Sequence, residues 1–241
     1  DVCSSDLPQK AIAHEPEVLF GEVDREGYVA TEGRMRFRIR MHELRHPGLF
    51  LDHAPLRRWL LAHARVSSAL NTFSYTGSLS IAAALGGAEK VTTLDLSKPT
   101  IRWAEENWTL NALPVERGEF IAGDVFQRIP RWVGQGRRFG LIILDPPSFS
   151  RGEKGVFSTQ KDLPRLHELA LSALEPGGLL VTSINSANIS VEGFLVEVGA
   201  AARAQKQRLR VLKLIEQPET FGTLLGSPTD RYLKGAVLQR V

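Results

Sequence analysis

The stretch LIILDPPSFS, residues 141–150, decides how this chain folds. Its apolar run Leu141–Leu144 is typical of a parallel strand that is buried on both faces, and Asp145 follows it directly. Open α/β sheets carry their chemistry at the carboxyl ends of the strands, so we expect Asp145 to lie at such a site. Pro146 and Pro147 fix φ and lack amide donors, which makes the next loop stiff and prevents a helix from beginning there. The alternative is a strand that ends in an ordinary proline-rich turn.

Strand and helix patterns alternate along most of the chain. Apolar runs predict strands at 69–73, 90–95, 119–122, 139–144, 179–185, 209–216 and 231–238. A loop and a helix are predicted within 48–64, and further helices at 78–86, 98–111, 125–133, 160–174 and 191–206. These patterns predict an α/β fold with a doubly wound, seven-stranded, mostly parallel sheet that has an antiparallel end strand.

Composition allows one α/β core and argues against several classes of protein. The chain has 241 residues, 43% of them hydrophobic, and a net charge of +3. No apolar run approaches the roughly 20 residues that a membrane span requires. The opening DVCSSDL, residues 1–7, lacks an initiator methionine and matches what a sequencing adapter encodes, so we expect native sequence from about Pro8 and a missing upstream domain. Its Cys3 is the only cysteine, so no disulfide can form within the chain, which suggests a cytoplasmic protein.

The N-terminal part is predicted to form a small β segment over residues 8–47. In GRMRFRIRM (33–41) the apolar residues share one face of a strand, and the other face carries Arg34, Arg36, Arg38 and Arg40. Between residues 31 and 65 eight arginines stand against three acidic residues, an excess larger than that of the whole chain. The arginine face is either a solvated strand face or a basic ribbon that follows a phosphate backbone.

The first strand-to-helix turn, NTFSYTGSLS (71–80), carries a single glycine, Gly77. A nicotinamide site requires G-x-G-x-x-G, so that the backbone can approach a pyrophosphate. A cofactor without phosphates is therefore favoured, and S-adenosylmethionine is the obvious candidate. Asp95, at the end of the second strand, is placed to accept hydrogen bonds from ribose hydroxyls, and Asp124, after the third, from an adenine amino group. Both are also plausible helix N-caps, although three strand-end aspartates with Asp145 are a stronger signal than one.

The linked motifs resemble the class I S-adenosylmethionine-dependent methyltransferases that modify 23S ribosomal RNA, in the cytosine-5 methyltransferase I and guanine-N7 methyltransferase K branches. The likeness runs from about Gly33 to the C-terminus. It is carried by LNTFSYTGSLSIAAALGGA (70–88), VTTLDLSKPTIRWAEENWTLN (91–111), GDVF (123–126), LIILDPPSFS, EPGGLLVTS (175–183) and RYLKGAVLQ (231–239). It implies a Rossmann-like methyltransferase domain over residues 48–241.

The resemblance also implies roles for individual residues. The segment GLFLDH (48–53) would close over the cofactor, and the cofactor contacts would come from Asp52, His53, Phe73, Ser74, Tyr75, Thr76, Gly77, Asp95, Leu96, Ser97, Gly123, Asp124, Val125 and Asp145. The target base would face Asp145, Pro146, Phe149 and Asn185. RNA contacts are expected from the four arginines of 33–41 and from Ser148, Arg151, Lys154 and Lys161. The last three lie in a loop (150–162) that is predicted to form a lid over the flipped base. The alternative is that this loop is only a charged, solvent-exposed loop. Neither a metal nor a membrane is an expected partner.

The cytosine branch needs chemistry that this chain lacks. Methylation of cytosine carbon 5 requires a thiolate that adds to carbon 6, because carbon 5 is not nucleophilic until the ring is activated. Those relatives carry a cysteine where this chain has Asn185 in TSIN (182–185), and other cytosine enzymes carry one where it has Ser148. A serine hydroxyl is too weak an acid to replace it. The guanine branch shares the asparagine and GLFLDH, whereas RYLKG (231–235) resembles the cytosine branch, so the subfamily stays open.

A guanine nitrogen is therefore the expected target. Asp145 would accept from the Watson–Crick edge of the base, Phe149 would stack on it and Asn185 would add a hydrogen bond, unless Phe149 is a core residue and Asn185 only satisfies local backbone. The alternatives are a methyltransferase of the same fold that acts on a protein amide or a small amine, a cytosine-type relative without its cysteine, and a cofactor-binding module without catalysis. The fold by itself does not separate them.

Overall fold

The computed structural model describes residues 18, 20–43, 46–147, 149–152, 155–186, 189–225 and 231–241, and it gives the backbone alone for 149–152 and 155–161. The strands are β1 (Tyr28–Glu32), β2 (Met35–Ile39), β3 (Ser68–Thr72), β4 (Lys90–Asp95), β5 (Gly118–Ala122), β6 (Phe139–Leu144), β7 (Phe149–Gly152), β8 (Gly155–Ser158), β9 (Leu174–Asn185), β10 (Leu209–Ile215) and β11 (Leu233–Arg240). The α-helices are α1 (Ala54–His63), α2 (Ser78–Leu85), α3 (Lys98–Leu110), α4 (Val125–Gly134), α5 (Thr159–Ala173) and α6 (Val191–Ala204). Short 3-10 turns lie at Leu51–His53 and Val115–Arg117.

Seven strands form one sheet in the order β10-β11-β9-β6-β3-β4-β5. Six of them run parallel, and β11 alone is reversed, between β10 and β9. The predicted mostly parallel sheet with an antiparallel end strand is confirmed, with the last strand of the chain inserted one place in from the edge. Because β3 pairs with β4 on one side and with β6 on the other, the strand order reverses there and leaves a crevice beyond their carboxyl ends.

Helices cover both faces of the sheet, which explains the unbroken apolar run in β6. Each residue from Leu141 to Leu144 is fully buried. Ile142 and Leu144 pack in the cluster that contains residues of α4, α5 and α6, whereas Leu141 and Ile143 pack in the one formed with α1, α2 and the N-terminal hairpin.

The β1–β2 hairpin confirms the alternation predicted for residues 33–41. Met35 and Phe37 are buried in the core, and the arginine side chains lie on the other face. Met41, beyond the end of β2, is 55% exposed and does not continue the apolar face. Asn107 Oδ1 of α3 accepts from the backbone of β2, and Asn111, the C-cap of α3, both accepts from that backbone and donates to it. These side-chain amides take the place of a third strand. A division at residues 47 and 48 stays a prediction.

The described residues of the segment predicted as a lid loop over 150–162 have regular structure, so that prediction was wrong in form. Residues Phe149–Gly152 pair antiparallel with Gly155–Ser158, and α5 begins at Thr159. The strands are only four residues each, too short for an alternating pattern to stand out among the charged residues around them.

Candidate active site

The residues that follow the central strands lie side by side at the carboxyl edge of the sheet. Thr72 pairs with both Leu94 and Leu144, and Leu144 pairs with Thr182. The residues that directly follow these paired positions therefore lie side by side across β4, β3, β6 and β9. They are Asp95, Phe73, Asp145 and Ser183, in that order. The sheet register thus brings together residues that are far apart in the sequence.

The turn after β3 has an unusual backbone that exposes polar groups at this edge. Phe73 and Tyr75 have φ of 51° and 49°, in the left-handed region that residues with a Cβ rarely adopt. Such conformations cluster at ligand-binding sites, where the surrounding structure holds them. Gly77 has φ 76°, and a Cβ on it would lie 2.9 Å from that of Ala104 in α3. A glycine is therefore required here both for the turn and for the close approach of α3.

The segment GLFLDH (48–53) is anchored on this turn. Thr76 Oγ1 donates to the carbonyl of Gly48 at 2.6 Å, and the Tyr75 hydroxyl donates to the carbonyl of His46 at 2.8 Å. The ring of Phe50 lies 5.3 Å from that of Tyr75. Burial, together with nearby carboxylates, raises the pKa of Tyr75 to about 12, so the phenol stays a hydrogen-bond donor.

Asp145 is held by two side chains. His53 Nε2 lies 3.0 Å from its Oδ2, and the Ser183 hydroxyl donates to its Oδ1 at 2.7 Å. Burial acts to raise the pKa of Asp145, but His53, with help from Ser183, outweighs burial and lowers it. Burial likewise acts to lower the pKa of His53, but Asp145 and Asp52 outweigh it and raise the pKa above 6.5. The arrangement favours an ionised carboxylate beside a charged imidazole.

Three buried polar atoms at this edge lack a hydrogen-bond partner within the part of the chain that the structure describes. They are Asp52 Oδ1, His53 Nδ1 and Ser74 Oγ. A buried polar group without a partner is costly, so such atoms indicate a ligand that satisfies them. S-adenosylmethionine has a cationic sulfonium, an ammonium, a carboxylate and a ribose, and the acidic residues of this edge suit such a ligand. The residues present therefore fit the predicted cofactor.

The two other strand-end aspartates have different local roles. Asp95 accepts from the backbone amides of Tyr75 and Ser97, each at 2.9 Å, while burial raises its pKa. Each carboxylate oxygen has two acceptor sites, so ribose hydroxyls can still bind. Asp124 is the N-cap of α4 and accepts from the amide of Phe126 at 2.8 Å, as the capping alternative predicts. Ser97, not Asp95, caps α3.

The remaining predicted site residues are distributed around this edge. Gly123 donates its amide to the Asp95 carbonyl at 2.8 Å, Leu96 is exposed, and Val125 is buried in the core. Asn185 ends β9, where it is exposed opposite Leu233 of β11.

The predicted contacts after Asp145 are described only in part. Pro146 is buried directly after it. Ser148 and Lys154 lie outside the described residues, and of Phe149, Arg151 and Lys161 the structure gives the backbone alone. Their roles stay predictions.

Three of the four predicted RNA-binding arginines have partners within the chain. Arg34 donates to the carbonyl of Leu85 in α2, and Arg38 donates to the carbonyl of Gly27. Arg40 pairs with Glu106 and lies over the ring of Trp103. Of the described contacts, none involves the guanidinium of Arg36, whose side chain is exposed.

Sequence reasoning missed two residues of this region. Ser183 shares a strand face with Asn185, two positions on, and the period of two in a strand was the signal that could have found it. Arg57 is fully buried, pairs with Glu32 and donates to the carbonyl of Phe50, so it ties the GLFLDH segment to the hairpin. Nothing in the sequence pattern separates Arg57 from the exposed Arg58.

Among the described residues, no group of three or more His, Cys, Asp or Glu side chains is arranged to hold a metal ion. In the same part of the chain, no helix has the length and apolarity needed to cross a membrane.

Known proteins resemble this chain over most of its length. Residues 12–228 match the family described as S-adenosylmethionine-dependent methyltransferase. The ribosomal RNA large subunit methyltransferase of Deinococcus radiodurans is 34% identical over 226 residues, which are 94% of this chain and 55% of that protein. Ribosomal RNA large subunit methyltransferase K of Neisseria meningitidis is 37% identical over 182 residues, 75% of this chain and 51% of that protein. The chain spans about half the length of the curated relatives it matches.

One solved structure with a similar fold contains bound SAH. The crystal structure of SMU.776, a candidate methyltransferase complexed with SAH, superposes with a TM-score of 0.86 at 30% identity, and the match covers 92% of this chain and 58% of that one. The prediction of S-adenosylmethionine as cofactor is confirmed by the family match and agrees with the unpaired polar atoms of the site. The chain belongs to the S-adenosylmethionine-dependent methyltransferase family.

Proposed function

We propose that this chain methylates a guanine nitrogen in large-subunit ribosomal RNA. The substrate class is supported by the names of the relatives, which are ribosomal RNA large subunit methyltransferases. The observation that carries the proposal is Asp145, an ionised acceptor held at the switch point of the sheet by His53 and Ser183.

Nitrogen chemistry suits the groups at this edge. The chain's only cysteine is Cys3, and Asn185 stands at the end of β9, so no thiol is available there to activate a cytosine ring. Guanine nitrogen 7 carries an in-plane lone pair and needs no base, whereas a nitrogen that bears N–H would also have to release a proton to an acceptor such as Asp145. The cofactor would supply the methyl group from its sulfonium and leave as SAH. The protein then has to orient the base, an effect worth up to about 7–11 kcal/mol.

The residues divide this work between cofactor and base. Asp52, Ser74 and Asp95 would hold the amino-acid end and the ribose of the cofactor, and Asp124 its adenine. Asp145 would accept N–H groups from the Watson–Crick edge of the guanine, because its lowered pKa keeps it ionised at neutral pH. A base in a duplex or stacked loop would first be flipped out of its stack. Phe149 would then stack on the flipped base, and the basic residues of the hairpin and of 150–162 would contact RNA phosphates.

The proposal is tested by transfer of labelled methyl from S-adenosylmethionine to unmodified 23S rRNA, followed by mass spectrometry of the nucleosides. We expect methylated guanosine, with a large loss of product in Asp145→Ala and a smaller loss in Asp145→Asn, which keeps one acceptor oxygen. 5-Methylcytidine as the product would contradict the argument from cysteine. Methylation of a protein or a small amine, with none of RNA, would overturn the substrate class.

A further inference from the structure

One ring nitrogen of His53 contacts Asp145, the residue proposed to bind the target base, and the other is buried without a partner among the described residues. Its Nε2 lies 3.0 Å from Asp145 Oδ2, and its side chain is 8% exposed. Its Nδ1 has no hydrogen-bond partner in the part of the chain that the structure describes. When the ring is charged, both nitrogens are donors, so the contact with Asp145 leaves one buried N–H in need of an acceptor.

Asp52, the preceding residue, carries a hydrogen-bond acceptor that lacks a donor. Its Oδ1 is buried and has no partner among the described residues. Asp52 and His53 belong to one 3-10 turn, so an unpaired acceptor and an unpaired donor stand on consecutive residues. The amino-acid end of S-adenosylmethionine carries an ammonium and a carboxylate, which is the matching pair of charges.

The charged groups around His53 favour its protonated form. Asp145 and Asp52 attract the proton, and Arg57 opposes it. The opposing charge is weakened because Arg57 Nη2 and Nε lie 2.5 Å and 3.0 Å from Glu32 Oε2. Burial also opposes the charge, yet the balance raises the pKa of His53.

We propose that His53 is a positioning residue that joins the two halves of the site: Nδ1 donates to the carboxylate of the cofactor, while Nε2 holds Asp145 for the target base. The inference rests on the proposed function and adds to it a linkage, that is, a coupling between protonation of His53 and binding of the cofactor. A carboxylate at Nδ1 favours the charged imidazole, and the charged imidazole strengthens the contact with Asp145. By reciprocity, loss of the proton weakens binding of the cofactor.

Binding of SAH to the full chain between pH 6 and pH 9, measured by calorimetry, tests the linkage without RNA. We expect Kd to rise with pH as His53 loses its proton, by up to about tenfold per pH unit over the range between its pKa values in the free and bound protein. His53→Gln, which keeps an N–H for Asp145 but has no titrating ring, should bind about tenfold more weakly at pH 6 and without that dependence. His63→Gln is the matched control, because His63 is exposed, its Nδ1 contacts the carbonyl of Trp59 and its ring stacks on that of Trp59, away from Asp145.

A titration of the His53 ring signals by NMR gives a second readout on the unaltered site. SAH should raise the pKa of His53 further, and Asp145→Asn should lower it in the free protein. A Kd that changes equally with pH in the wild type and in His53→Gln would overturn the inference, as would a His53 pKa that SAH leaves unchanged. If this linkage holds but no RNA is methylated, the proposed substrate fails and the role of His53 in cofactor binding stands.

Discussion

The hydroxyl of Ser183 lies 2.7 Å from Asp145 Oδ1, on the neighbouring strand and at the same level of the sheet. The two residues are 38 positions apart, and the pairing of Leu144 with Thr182 brings them together. With His53 on the other oxygen, both ends of the carboxylate are fixed. A fixed acceptor can select one edge of a planar base, whereas a freely rotating one cannot.

Removal of this hydroxyl should therefore change both rate and pH dependence. His53 lowers the pKa of Asp145 most, and Ser183 adds to that effect, so Ser183→Ala should move the pKa upward. The acidic limb of the kcat/KM profile should shift to higher pH, and the plateau should fall about tenfold, as expected for a lost hydrogen bond to a charged group. Ser183→Thr keeps a hydroxyl and should retain the wild-type limb. An unchanged acidic limb in Ser183→Ala would contradict the assigned contact.

Gly77 and Gly136 offer a matched test of why the cofactor turn needs a glycine. Both have positive φ, 76° and 78°, but a Cβ on Gly136 would meet nothing within 4 Å, whereas one on Gly77 would meet Ala104. Gly136→Ala should cost about 1–2 kcal/mol of the free energy of unfolding, the cost of the left-handed conformation. Gly77→Ala should cost about 1–3 kcal/mol more, because α3 must shift. Urea unfolding measures the difference, and equal costs would mean that the approach of α3 does not constrain this residue.

Elements set by local patterns could be predicted from the sequence, and contacts set by register could not. The apolar run before Asp145 fixes β6, and the strand-end positions of Asp95 and Asp145 follow from similar runs. The contact between His53 and Asp145 depends on how the GLFLDH segment docks on the sheet, 92 positions away, and no local pattern encodes it. The same limit hid Ser183.

The arginines of the hairpin show a further limit of sequence patterns. Alternation correctly predicts which face they share, but it gives no information about what lies opposite. Arg40 meets Glu106 and Trp103 because α3 packs beside β2, and that packing appears only in three dimensions. A run of like charges in the sequence therefore overstates the free positive charge of the surface.

His167 should make the protein sensitive to acid. It lies on α5 and is fully buried against β9, where its Nε2 contacts Thr182 Oγ1 at 2.8 Å, and burial lowers its pKa from 6.5 to about 3. Because the unfolded chain accepts a proton at higher pH than the folded one, this contribution to stability is complete above pH 6.5 and is lost as the pH falls towards 3. The loss should approach 1.4 kcal/mol per pH unit, roughly, within that range.

The contribution of His167 can be separated from that of the carboxylates by a substitution. His167→Gln should show a free energy of unfolding that depends less on pH between 6.5 and 3 than the wild type does, whatever its absolute stability. His63→Gln, at an exposed histidine, should follow the wild-type curve. Parallel curves for the wild type and His167→Gln would show that His167 has the same pKa in the folded protein as in the unfolded chain, and would contradict the prediction.

A comparison of Arg36 with Arg40 tests whether the arginine face contacts RNA, because the charge of Arg40 is paired within the chain and that of Arg36 makes none of the described contacts. The guanidinium of Arg36 makes none of the described contacts, whereas Arg40 is 2.5 Å from Glu106. If the face contacts RNA phosphates, Arg36→Ala should weaken binding and reduce the slope of log Kd against log salt by about one. Arg40→Ala should change the slope less, because removal of Arg40 also frees the negative charge of Glu106, so its effect on affinity combines two terms. Equal slopes for Arg36→Ala and the wild type would identify the arginine face as a solvated surface instead of an RNA contact.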